Sequence, residues 1–347
     1  MWTREETYPE PDAALLSAAE EWVALIRPER LRSLVESIPG PRSRLHAPEA
    51  MAATDDLITD AWRAAGWLVG RQRLRFRSVR GSLDRLEPES GRRPRGHTYR
   101  DLAGTNLVAI AEGETDEAVV VVAHHDTVDG SPGADDNGAG VAALLELADR
   151  LRGRRFRRTV ILAAPDFEEI GLIGSRPLVR WLRSLYDVRA AVVFDPIGFM
   201  DPRPGSAPIP PTIARLYPGQ AARMAERGYR GDTVVAIYRR RSADLVRRWS
   251  RCLGATLGPE RVIQLRDPLD LPVVGPALAM HPMARNFSRS DHVNFWAAGL
   301  PAIQVTNTAN FRNPNYHRPT DVPDTLDYDT LARVAAATAL LIEDLAE

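Results

Sequence analysis

From residue 118 onward the chain alternates short, wholly apolar β-branched runs with amphipathic stretches of helical period, and few folds accept that pattern. AVVVVAHH gives way to GVAALLELADRL and TVILAAP to IGSRPLVRWLRSL, after which comes AAVVFD. A strand that is apolar all along must be covered on both faces, so the pattern predicts a sheet packed between helices. Beyond Asp195 follow a proline-rich stretch (DPRPGSAPIPP), a strand TVVAIYR, a helix SADLVRRWSRCL, a last strand LPAIQVT and a closing helix over 328–346. Ahead of all this, residues 12–66 carry helical spacing in two blocks, PDAALLSAAEEWVALIRPERLRSLVESI and APEAMAATDDLITDAWRAAG. Residues 67–117 read as strands with polar loops, and SGRRPRG among them as an exposed loop or hairpin tip. With no internal repeat and no low-complexity linker, residues 1–347 are expected to form a single α/β domain, with 1–66 as a helical section packed on it.

Charge narrows the classes of partner. The formal net charge is −1, whereas nucleic acid or an anionic membrane surface needs a sustained basic face, so neither is expected as a partner. Arginine supplies all 45 basic side chains, and the runs RGRRFRR (152–158) and RRR (239–241) read as solvated surface. No apolar run approaches the roughly 18 residues of a membrane span, and the opening MWTREETYPEPD has no signal-like pattern. A lone cysteine, Cys252, excludes an internal disulfide framework and fits a reducing cytoplasm, the expected location. Its context, RRWSRCLG, carries no signature of a nucleophile.

Five places carry candidate chemistry, and each comes after a predicted strand, where open α/β sheets hold their ligands. In AHHDT, His124 ends a strand, and Asp126 two positions on is expected to accept a hydrogen bond from its imidazole. In GADDNGAG, Asp136 sits at a strand-to-helix corner, where a carboxylate can bridge two cations or simply cap the helix. Gly138 and Gly140 mimic part of a dinucleotide fingerprint, but the glycines should follow the strand directly and here a long loop intervenes. In DFEEIGLIGS two adjacent glutamates at a strand end repel one another unless cations are present or the pair opens a solvated helix. Neighbouring side chains diverge, so Glu169 can bind metal while Glu168 faces a water as general base. Asp195 closes AAVVFD, and His317 lies in the proline-punctuated NPNYHRPTDVPDTLD. Two imidazoles and three carboxylates suit zinc and leave coordination positions open; manganese or cobalt would fit the same donors.

Together, AHHDT, GADDNGAG, DFEEIGLIGS, VVFDPIG and YHRPTDVPDTLD, in this order, resemble the co-catalytic dizinc exopeptidases, which include bacterial leucyl aminopeptidases, glutamate carboxypeptidase and glutaminyl cyclases. The resemblance covers about 105 to the last residue. It implies an α/β fold with a mixed, mostly parallel sheet of about eight strands between helices, and a non-proline cis peptide at Asp136–Asn137. It implies two Zn2+ ions, one held by His124 and Asp195, the other by Glu169 and His317, with Asp136 bridging. Glu168 would be the general base for a water bridging the metals, Asp126 a supporting aspartate behind His124, and Tyr316 a hydrogen-bond donor to the oxyanion. SRSDHVNFW matches a further block, in which Asp291 and His292 would line or support the cleft. The stretch between Asp195 and His317 is long for this family, and residues 200–290 are expected to supply substrate-pocket loops.

The activity so implied is removal of a terminal residue from a short peptide or aminoacyl amide, foremost as an aminopeptidase. A carboxypeptidase or amidase of the same family, using Arg312 or Arg285 for a terminal carboxylate, is the first alternative. A glutaminyl-cyclase-like acyltransferase and a binding protein without chemistry are the others. Residue preference and oligomeric state are not encoded in any motif.

Overall fold

The computed structural model describes residues 8–82, 96–271, 275 and 282–347. Most of SGRRPRG, and the middle of the DPLDLPVVGPALAMHPMARNF stretch, lie outside the described residues. The strands are β1 (Leu68–Ser82), β2 (Gly96–Ala111), β3 (Thr115–Val122), β4 (Arg158–Ala164), β5 (Asp187–Phe194), β6 (Val234–Tyr238), β7 (Val262–Arg266) and β8 (Ala302–Thr306). The helices are α1 (Ala13–Leu25), α2 (Pro28–Ser37), α3 (Pro48–Ala64), α4 (Gly140–Arg150), α5 (Ser175–Leu185), α6 (Pro211–Leu216), α7 (Pro218–Glu226), α8 (Ala243–Leu257), α9 (His292–Ala297), α10 (Ala309–Arg312) and α11 (Tyr328–Ala346).

Among the described residues eight strands make one mixed sheet in the order β1-β2-β4-β3-β5-β8-β6-β7, as the resemblance implied. The central strands β4, β3, β5 and β8 are parallel, β2 and β6 run against them on either side, and β1 and β7 complete the two edges. Alternation along each strand sorts its side chains between two cores. Val119, Val121, Val160 and Leu162 face a layer holding α1–α4, α8 and α11; Ala118, Val120, Val122, Ile161 and Ala163 face α5, α7 and α9. Among the described residues no helix is long and apolar enough to cross a membrane.

Three elements depart from the sequence expectation. The first helical block splits into α1 and α2, because Pro28 has no N–H to give and is tolerated at the first position of a new helix. The proline-rich stretch leads into two short helices, α6 and α7, for the same reason: Pro211 and Pro218 each stand at a first position. The strand β7 was not anticipated. Its inward Gln264 broke the apolar run, and in the fold that amide bonds Ser250 at 2.9 Å.

Parallel central strands bring the ends of β3, β4, β5 and β8 to one edge of the sheet, so the segments that follow them meet there. The β1–β2 hairpin extends past that edge, since only Leu107–Ala111 of β2 pairs with β4. Its overhang packs Leu74, Tyr99 and Leu102 against Phe167, Ile170 and Ile173, which fastens down the loop after β4.

Candidate metal centre

The five candidate ligands converge at this edge. His124 Nε2 lies 3.1 Å from Asp136 Oδ1 and 3.6 Å from Asp195 Oδ1. On the other side of Asp136, His317 Nε2 lies 3.0 Å from Oδ2 and 3.2 Å from Glu169 Oε2. Asp136 thus stands between two imidazoles, one oxygen toward each. Glu168 approaches from the His124 side, its carboxylate clustered with His124 and Asp195. All six side chains are buried.

Local structure explains why they point inward. The loop after β4 is a series of turns, so the solvated helix start does not form at Glu168 and Glu169. Phe167 (φ 60), Gly171 (φ 114) and Leu172 (φ 58) take left-handed conformations there. The Asp126 carboxylate accepts the N–H groups of Glu168 and Glu169, each at 3.2 Å, and so sets where that pair emerges. This corrects its expected hydrogen bond. His124 Nδ1 bonds the main-chain oxygen of Asp126 at 3.1 Å, with the carboxylate at 3.6 Å, because that carboxylate is turned to the N–H groups of Glu168 and Glu169. Asp136 is held by Asp321, which accepts the N–H of Asp135 at 2.9 Å and of Asp136 at 3.2 Å, and the Asp136–Asn137 peptide is cis. His317 itself has a positive φ of 54°.

A further ring of residues, silent in the sequence, supports these loops. Arg42, only 1% exposed, donates from Nε to the carbonyl of His125 at 2.8 Å, from Nη1 to that of Pro132 at 2.9 Å and from Nη2 to that of Gly133 at 2.9 Å. Burial lowers its pKa to about 10, against the opposing pull of Asp321, Asp126, Asp136 and Glu169. Arg44 pairs with Asp55 at 2.8 Å and Asp166 at 2.7 Å, and Asp55 lies 3.0 Å from His125 Nε2. The only local hint was the repeated His and Asp within AHHDT and APDFEE. Nothing near Arg42 announced its role.

Tyr316 stacks on His317, with ring centroids 3.9 Å apart, and its hydroxyl lies 3.5 Å from Arg289 Nη2. Asp291 is buried, its carboxyl raised to about 7 by burial. His292 Nε2 faces the carbonyl of Phe287 at 3.0 Å, and burial lowers its pKa to about 3. Arg285 is exposed. The Cys252 thiol is buried and pushed up to about 12, consistent with an inert core residue.

The donors fit divalent cations. His317 Nε2 sits at contact distance from two carboxylates without hydrogen-bond alignment to either, and Glu169 Oε1 is buried with no hydrogen-bond partner among the described residues. Four buried carboxylates in one cluster would be costly without positive charge among them. Burial disfavours charge on His124, but Glu168 and then Asp126, Asp136 and Asp195 outweigh it and hold the imidazole well above its ordinary value. Burial likewise opposes charge on His317, yet Glu169 and Asp136 raise it to about 10. Glu169 is raised to about 7, first by burial, with His317 opposing and Asp136 reinforcing. For Asp136, burial is outweighed by the two imidazoles, and its carboxyl stays below the usual range.

These shifts have a sign. His317 and Glu169 both have folded values above their ordinary ones, so the stability they add to the metal-free protein is complete at acid pH and fades as pH rises through about 7 and then about 10. A cation must displace the same protons. Metal affinity is therefore expected to rise by about tenfold per pH unit for each proton released. Titration calorimetry of the metal-free protein at pH 6 and 8, in buffers of different ionisation enthalpy, reads both quantities; equal affinity with no proton release would refute the assignment.

Known proteins agree with this architecture. A 30% identical relative, an uncharacterized Escherichia coli protein, YfbL, matches over 251 residues, 68% of this chain and 70% of its own. The aminopeptidase from Aneurinibacillus sp. strain AM-1 superposes with a TM-score of 0.64 at 14% identity, covering 95% of this chain and 96% of its own. A glutaminyl cyclase from Fimbriiglobus ruber does so with a TM-score of 0.62 at 18% identity, over 92% and 95%. The model of peptidase family M28 matches residues 106–225 and 273–342, which include every candidate ligand, and the chain belongs to that family.

Proposed function

We propose that the protein is a two-zinc exopeptidase that removes the N-terminal residue of a short peptide. The observation that carries this reading is the placement of Asp136 between His124 and His317, with Asp195 and Glu169 closing the two sides and Glu168 left over beside them. His124 and Asp195 would hold one ion, His317 and Glu169 the other, and Asp136 both. Bound there, two divalent cations would polarise the scissile carbonyl and lower the pKa of water toward about 7.

The remaining work falls to side chains of this chain. Burial raises Glu168 well above the usual carboxylate range; His124 opposes this, while Asp195, Glu169 and Asp291 add to it. Such a carboxylate is a stronger base than an exposed glutamate. It takes a proton from the attacking water and returns it to the leaving amine nitrogen. Asp126, through the two N–H groups it accepts, keeps Glu168 and Glu169 in separate directions. Burial holds the Tyr316 phenol well above its ordinary pKa, so it stays protonated and can donate to the oxyanion.

An aminoacyl anilide set against the matching N-acylated amino acid tests the reading. Turnover of the unblocked substrate, lost on chelation and restored by zinc, is expected. Turnover of acylated substrates alone would transfer the assignment to an amidase or carboxypeptidase, and cyclisation of an N-terminal glutamine to an acyltransferase.

A further inference from the structure

In the layer that holds α5, α7 and α9, an open groove of ≈ 980 Å³ runs between α5 and α9. Every charged side chain that lines it is basic: Arg176, Arg180 and Arg183, all from α5 and all exposed. Val179, Ala297 and Ala298 form the apolar part of its wall. The width of the groove is fixed by Asn294 of α9, whose amide donates to the carbonyl of Leu172 at 3.1 Å and to Ser175 Oγ at 2.7 Å. α9 is thereby tied to the start of α5.

Other helices of this chain match their arginines with acids one turn away. Arg32 pairs with Glu36 in α2, Arg150 with Glu146 in α4 and Arg248 with Asp244 in α8. Helix α5 departs from that rule. Neither α5 nor α9 contains an acidic residue, and among the described residues none of the three arginines has an ion pair or a hydrogen bond. Arg176 and Arg180 stand four positions apart and Arg180 and Arg183 three, spacings at which like charges repel on a helix surface. Arg176 also lies in the first turn, where the positive end of the helix dipole opposes a cation. An anion in the groove would reverse each of these penalties.

We propose that this groove is a binding site for a small molecule carrying two phosphate groups. Arg176 and Arg183 are separated by seven residues of helix, about 10 Å at a rise of about 1.5 Å per residue, so one phosphate meets Arg176 and the other Arg183, with Arg180 between them. A short carbon chain joining the two lies over Val179, Ala297 and Ala298. Phosphate suits the set better than carboxylate, because a monoester brings about twice the charge and offers a planar guanidinium two oxygens at once. An acidic peptide is the poorer fit: the groove is lined by helices and offers no strand edge to pair with its backbone. The site is separate from the hydrolase reading, since none of its lining residues is a candidate metal ligand or the base.

Calorimetric titration of the zinc-loaded full chain tests the site. Hexane-1,6-diyl bisphosphate should bind about tenfold or more tightly than hexyl phosphate, because its second phosphate adds charge-assisted hydrogen bonds. That advantage should vanish in a variant combining Arg176→Gln, Arg180→Gln and Arg183→Gln, and Arg176→Gln alone should remove most of it. Substitutions at exposed helix positions cost little stability, so the variants should fold as the unaltered protein does. Equal binding of the two phosphates to the unaltered protein would overturn the proposal without any variant. So would an advantage that persists in the triple variant, because the anion would then be held by the metals or by other arginines. Tighter binding of octanedioate or of penta-aspartate than of the bisphosphate would also overturn it, in favour of a dicarboxylate or an acidic peptide. Binding is read here without turnover, so a protein that cleaves no peptide yet shows the expected difference loses the exopeptidase reading and keeps the site.

Discussion

Glu168→Gln should lower kcat by about 10²–10⁴-fold while leaving metal content unchanged, because general-base catalysis typically supplies an effect of that order. The substitution keeps the size of the side chain and removes only its capacity to accept a proton. Glu168 shares a cluster with His124 and Asp195, but the pairs around Asp136 are complete without it. Asp136→Ala is the contrasting case: both imidazoles lose the carboxylate they share, and metal content and activity should fall together. Elemental analysis of each purified variant, set beside its kcat, separates the two. A Glu168→Gln protein that lost its metals, or that kept most of its rate, would remove Glu168 from the role of base.

The second large effect is expected far from any ligand. Arg42→Met leaves the carbonyls of His125 and Pro132 without their donor and takes one of two from that of Gly133, which keeps the Gly138 N–H at 2.9 Å. At roughly 1–3 kcal/mol for each of the two carbonyls so left, partly relieved by relaxation, a total loss of about 2–4 kcal/mol is expected. These carbonyls belong to the loops that carry His124 and Asp136, so metal affinity should fall with stability. Arg42→Lys should recover little, since an ammonium cannot reach three separated carbonyls as a planar guanidinium does. Thermal denaturation with and without zinc checks both parts. A variant that melts and binds zinc as the unaltered protein does would show that the clamp is dispensable.

Legibility in the sequence followed the range over which each feature is encoded. β3, β4 and β5 were plain because each is a continuous apolar run buried on both faces. The ligands were plain because each lies in a short block following a strand, and parallel strands bring such blocks together whatever the loops do. β7 was hidden by an inward glutamine, and α6 and α7 by prolines that read as breakers until their first-turn positions are known. The partner of His124 was misjudged because the Asp126 carboxylate is taken up by N–H groups 42 and 43 residues further on, which no local pattern shows. Arg42 and Asp55 were illegible in principle. Each acts on residues 70 or more positions away, where only the folded chain says what is near.

The same separation has a consequence for the order of events during synthesis. Arg42 leaves the ribosome early, while the carbonyls it clamps follow 83–91 residues later. Trp22, whose indole bonds Glu343, waits for a partner 321 residues downstream. α1 therefore cannot settle as it emerges, and its apolar face stays open until α8 and α11 have been made. A nascent chain stalled before that point would hold all the strands yet lack α11, the helix against which α1, α2, α4 and α8 pack, leaving it a natural client for chaperones.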